Sequence, residues 1–152
     1  MVMVVYSSYF GNIVQEFYRL DMGKYSKCCR YYDNGTWEEL EWVNPPMELG
    51  VEYRTTERWG GKPVYTKAVF IPTLPNNTHI NSPISGKKTV LSAEGYATDL
   101  STGVDYMFPV VGYSDGKITA TFMHSVGDDF YIKTYVDLSN WSANFIVKYT
   151  KD

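Results

Sequence analysis

Two adjacent prolines, Pro45 and Pro46, constrain this chain more than any other pair of residues. They remove two backbone donors and hold φ fixed, so no central strand can run through them. Beyond them, residues 51–58 and 62–71 are strand-like runs on either side of Trp59-Gly60-Gly61. A Gly-Gly pair tolerates the positive φ of a tight primed turn, so this segment predicts a β-hairpin. Residues 41–67 thus read as a stiff junction feeding a hairpin. The boundary it marks divides the chain into residues 1–46, a small β-hairpin appendage, and residues 47–152, the main domain.

The 152 residues suffice for one domain with such an appendage. Aromatic residues make up 16% of them, and the fourteen Tyr favour strands and wet interfaces over helices. The net charge of −3 comes without a basic patch, which argues against nucleic acid as a partner. Cys28 and Cys29 are neighbours, a spacing at which a bridge is strained, so two free thiols are expected. The opening MVMVV is too short for a signal peptide, and no run approaches the ~20 apolar residues of a membrane helix. A soluble protein made in the cytoplasm is the expectation, with no membrane insertion.

Helical spacing is rare. Ile13, Phe17 and Leu20 fall at such spacing, but the β-branched and aromatic residues around them predict a strand over residues 12–20. Residues 24–32 and 37–43 predict a hairpin about the Asp33-Asn34-Gly35 turn. Residues 72–83, rich in Pro and Asn, read as loop. Further strands are predicted over 89–97, 105–113, 117–124 and 130–136, and Phe145, Val147 and Tyr149 alternate with Ile146 and Lys148 in the last one. Short strands with regular turns predict an all-β protein, an antiparallel, jelly-roll-like β-sandwich.

Three stretches carry a family resemblance. Residues 34–42, NGTWEELEW, resemble the ending of knob segments in pyocin-type and phage tail fibres. Residues 42–67 with Leu74–Thr78, LPNNT, resemble the entry to the C-terminal receptor-binding head of many tail-fibre and tail-appendage proteins. Residues 131–151 resemble that head's last two strands. The resemblance implies a homotrimeric head on the virion, at a tail tip or fibre. It would be made in the bacterial cytoplasm and act outside it, attached to other tail or baseplate proteins and adhering to surface polysaccharide or another envelope receptor. The chain departs from the pattern at Ile80–Ser85, where the family continues into a histidine-containing segment and a Gly-rich turn. The near absence of sequence before the knob leaves open a fragment or a short standalone appendage. A purely structural trimerisation or capping domain and a carbohydrate-binding module unrelated to phage are the competing readings.

Enzyme chemistry finds little footing. Glycoside hydrolysis needs two carboxyls about 5–10 Å apart, and the visible pairs (Asp99 with Asp105, Asp128 with Asp129, Glu38 with Glu39) suit turns or opposite strand faces. His79 and His124 lack an i+2 partner of the kind that holds iron at some fibre tips, and no calcium loop is present. Neither a catalytic residue, a metal nor a cofactor is expected. Sugar recognition stacks rings on apolar C–H faces and adds acid and amide hydrogen bonds. Trp59, Tyr96, Tyr106, Tyr113 and Trp141 lie in or beside predicted turns. The candidate ligand set is Trp141 and Tyr113 first, then Tyr96 with the acids Asp99 and Asp115. Packing in a core or subunit interface is the competing role for each ring.

Overall fold

The computed structural model describes the backbone of residues 2–7, 13–21, 24–74, 76, 79–81, 84, 86–108, 111–114, 117–126, 129–134 and 137–151. Side chains are described for residues 3–6, 13–18, 26–74, 76, 84, 86–107, 134 and 137–151. No helix occurs among the described residues. The strands are β1 (Val2–Ser7), β2 (Ile13–Asp21), β3 (Lys24–Asp33), β4 (Thr36–Trp37), β5 (Glu41–Asn44), β6 (Glu52–Trp59) and β7 (Lys62–Ile71). They continue with β8 (His79–Asn81), β9 (Thr89–Asp99), β10 (Asp105–Phe108), β11 (Val111–Ser114), β12 (Lys117–Val126), β13 (Asp129–Thr134) and β14 (Trp141–Thr150).

The protein is all-β. One ten-stranded sheet runs in the order β1-β2-β3-β5-β6-β7-β14-β9-β10, with β4 paired to β3, and a four-stranded sheet runs β11-β12-β13-β8. Pairing is antiparallel except where β5 meets β6, at Trp42 opposite Thr55. The two predicted turns form as their residues require: Asn34 and Gly35 have φ of 48° and 85°, Gly60 and Gly61 of 56° and 79°. Positive φ at both central positions matches the twist of the strands they join.

Three predicted elements change and one strand is added. The return strand at 37–43 is broken into β4 and β5, with the Glu38 N–H donating to the Tyr31 carbonyl (2.8 Å) at the break. The opening run, too short to stand out in the sequence, is paired as β1 against β2. The 72–83 loop contains β8, held by β13. The strand at 105–113 is two, β10 and β11, which belong to different sheets.

The core lies on one face of the large sheet. Ala143, Phe145, Val147 and Tyr149 alternate inward along β14 and pack with Val69, Ile71 and Ala97 on its neighbours, while Leu74 and Ile84 reach in from between strands. Each fully buried side chain of Phe145's or Val147's size contributes roughly 1.5–3 kcal/mol. Gly95 faces Phe145 across the β9–β14 pair, and an added Cβ would lie 2.0 Å from the Asn144 carbonyl oxygen. The strands come too close there for any side chain.

The proline junction is locked by charge as well as by φ. Glu41 on β5 is buried, and its Oε1 accepts from Arg54 Nη2 (2.9 Å) and Arg58 Nη2 (2.5 Å), both on β6. Trp42 stacks edge-on against Tyr53 at 5.3 Å. Next to them on β3, Cys28 and Cys29 are buried free thiols, and burial raises the pKa of both.

Candidate functional site

β14 begins at Trp141 and β9 ends at Asp99, and the register sets these two residues directly opposite each other on the core face. The next strand, β10, sets Tyr106 opposite Ala97 on the same face. Ala97 and Ala143, paired across β9 and β14, are small, and the rings meet on the diagonal: the Tyr106 and Trp141 centroids lie 4.9 Å apart with planes tilted 35°. Trp141 packs partly against the core, and Tyr106 is 42% exposed. The result is a shallow aromatic surface at one end of the sheet.

Backbone hydrogen bonds draw the surrounding segments together. Leu74 N–H donates to the Trp141 carbonyl (2.8 Å), Trp141 N–H to Leu138 (2.9 Å) and Leu100 N–H to Asn140 (3.0 Å). The β9–β10 turn closes through Gly103 N–H on the Asp99 carbonyl (2.7 Å), with Gly103 at φ 71°. Asp99 Oδ1 accepts from Ser101 Oγ (2.6 Å) and Ser101 N–H (2.9 Å), and these bonds hold its pKa below the ordinary value. Asp137 is lowered in the same way by Ser139. Thr98 Oγ1 donates to Asp105 (2.6 Å). Residues 72–76, 98–107 and 137–142 contain no Lys or Arg, so the charges these segments bring to this end of the sheet are negative.

The candidate residues separate. Trp141 and Asp99 come together. Tyr96 does not join them: it pairs with Asn144 and Met107 on the opposite face of the sheet. The backbone of Tyr113 pairs with Ile118 in the small sheet, but its side chain lies outside the described residues, as does Asp115 entirely. Tyr106, named among the rings beside predicted turns but not in the candidate ligand set, is the ring that meets Trp141. Trp59 is 61% exposed at the β6–β7 turn, at the other end of the strands. Asp99 and Asp105 point to opposite faces, because Asp105 is opposite Thr98, so they do not form a facing carboxylate pair. Among the described residues no three His, Cys, Asp or Glu side chains are grouped to hold a metal.

No protein-family model and no curated protein matches this chain. Among solved structures it is similar to an N-truncated R2-type pyocin tail fiber, at 12% identity over 96% of this chain and 80% of that one, with a TM-score of 0.34.

Proposed function

We propose that this chain is a non-enzymatic attachment domain, the receptor-binding end of a phage or prophage tail fibre or tail appendage, which binds bacterial surface glycan as a homotrimer. The observation that carries the reading is the Tyr106–Trp141 pair at 4.9 Å with Asp99 beside Trp141. Paired rings offer a flat apolar face to sugar C–H groups, and neighbouring acids and amides such as Asp99 and Asn140 offer hydrogen-bond acceptors and donors to hydroxyls. The resemblance of residues 34–42, 42–67, 74–78 and 131–151 to tail-fibre segments supplies the biological setting: a virion tail or fibre, joined to other tail proteins and acting outside the host cell.

A shallow site of this kind binds weakly. Three copies on one rigid particle raise avidity through effective concentration, by about 10²–10⁴ in favourable geometry. The test is a bacterial polysaccharide array probed with the protein and with its Trp141→Ala and Tyr106→Ala variants. Binding that both variants abolish supports the reading. Binding that neither affects removes this site from it, and no binding to any glycan overturns the attachment role.

A further inference from the structure

The face of the large sheet opposite the core carries an apolar patch that nothing in the described chain covers. Register places Phe70, Asn144, Tyr96 and Met107 in one row across β7, β14, β9 and β10. The next row holds Ala68, Ile146 and Glu94, and Leu49 bridges to Ala68 at its end. Five of these side chains are large, apolar and open: Met107 is 76% exposed, Leu49 61%, Phe70 42%, Ile146 41% and Tyr96 39%. Leu49, Tyr96 and Ile146 line one open groove of about 320 Å³. Further along the same face, Trp42, Pro45 and Met47 line a second open groove together with Thr66, Ile146 and Lys148.

At about 150–250 Å² for a fully exposed large side chain, these five expose on the order of 500 Å². That is at the upper end of what a monomer leaves open, and with a polar rim it approaches the ~800 Å² per partner of a stable interface. Glu94 is the only charge in the two rows, so the patch has no charge pattern that would select a partner of opposite sign. An identical, predominantly apolar face is its natural complement.

We infer that this β7-β14-β9-β10 face is the surface through which copies of this chain associate. The inference rests on the self-association part of the proposed function and not on glycan binding. Tyr96 is then an interface residue, and the sugar platform on the opposite face stays open in the assembly.

The test is light scattering coupled to size exclusion, on the whole chain from about 1 to 100 µM, a range that spans a micromolar Kd. The expected mass is a multiple of the protomer mass. Ile146→Asp and Met107→Asp, both outward-facing, should each return it to one protomer at about 10 µM, with unchanged circular dichroism and a cooperative melt. Met3→Asp, on the distant edge strand β1, should leave the assembly intact. A monomer throughout the range overturns the inference and the trimer together. An assembly that survives Ile146→Asp and Met107→Asp but yields to Met3→Asp overturns the face and leaves self-association standing. Glycan binding on the array is read separately, so loss of the face and loss of the attachment role are distinguishable.

Discussion

Tyr106 and Trp141 touch ring to ring diagonally across β9, Tyr106 lying opposite Ala97 and Trp141 opposite Asp99, and the methyl of Ala97 leaves the diagonal open. Ala97 is 1% exposed, so there is no free space at its position for a larger side chain. Replacing it with Leu should wedge the rings apart. Glycan binding by Ala97→Leu should then fall at least tenfold, as for Trp141→Ala, while Ala97→Gly retains most of it. Titration on the best array ligand by calorimetry checks the order of the three variants.

Glu41 ties β5 to β6. Removing it leaves Arg54 and Arg58 without the carboxylate both contact. Breaking a buried pair from one side costs about 3–5 kcal/mol, and partial exposure of both arginines reduces that. Glu41→Ala should lower unfolding free energy by about 2–3 kcal/mol in urea titrations. Glu39→Ala, which removes only the exposed partner of Arg54, should cost less than about 1 kcal/mol.

Gly95 is needed for close approach, not for unusual φ. A methyl there would press on the Asn144 oxygen and on Phe145 Cα, which is 2.5 Å from the added carbon. Backbone atoms cannot rotate away, so Gly95→Ala should exceed the usual overpacking penalty of about 1–3 kcal/mol. The expected outcome is a much lower melting temperature or insoluble protein. Gly103→Ala has no neighbour within 4 Å and pays only for its φ of 71°, so it should be milder.

Tyr149 predicts the alkaline limit of stability. Burial raises its pKa first, and its hydrogen bond to Glu52 raises it further. In the unfolded chain the phenol ionises near pH 10. Its contribution is therefore complete below about pH 10 and is lost as pH rises toward the folded value. Melting temperature should fall steeply above pH 10, and Tyr149→Phe should flatten that limb while costing about 1 kcal/mol at neutral pH. Melts from pH 7 to 11 read both effects.

Much of this was legible in the residues, unevenly. Asn34-Gly35 and Gly60-Gly61 announced their turns because few other pairs accept positive φ twice in succession. Alternation along residues 145–149 announced which side chains are buried. Parity also separates Tyr96 from Asp99 within β9, since residues three apart on a strand face opposite ways. What parity within one strand leaves open is which face is the core and which ring on the next strand falls alongside.

Local chemistry alone determined that this chain is β-rich, where its tight turns fall, and that the prolines interrupt its strands, because those properties depend on φ, ψ and neighbouring residues. The tertiary structure decided the rest. The β10-β9-β14 register chose Tyr106 over Tyr96 as the partner of Trp141, the closeness of β9 and β14 made Gly95 irreplaceable, and strand order left five apolar side chains facing outward. Each is a contact between residues distant in the chain, set by how strands align across a sheet.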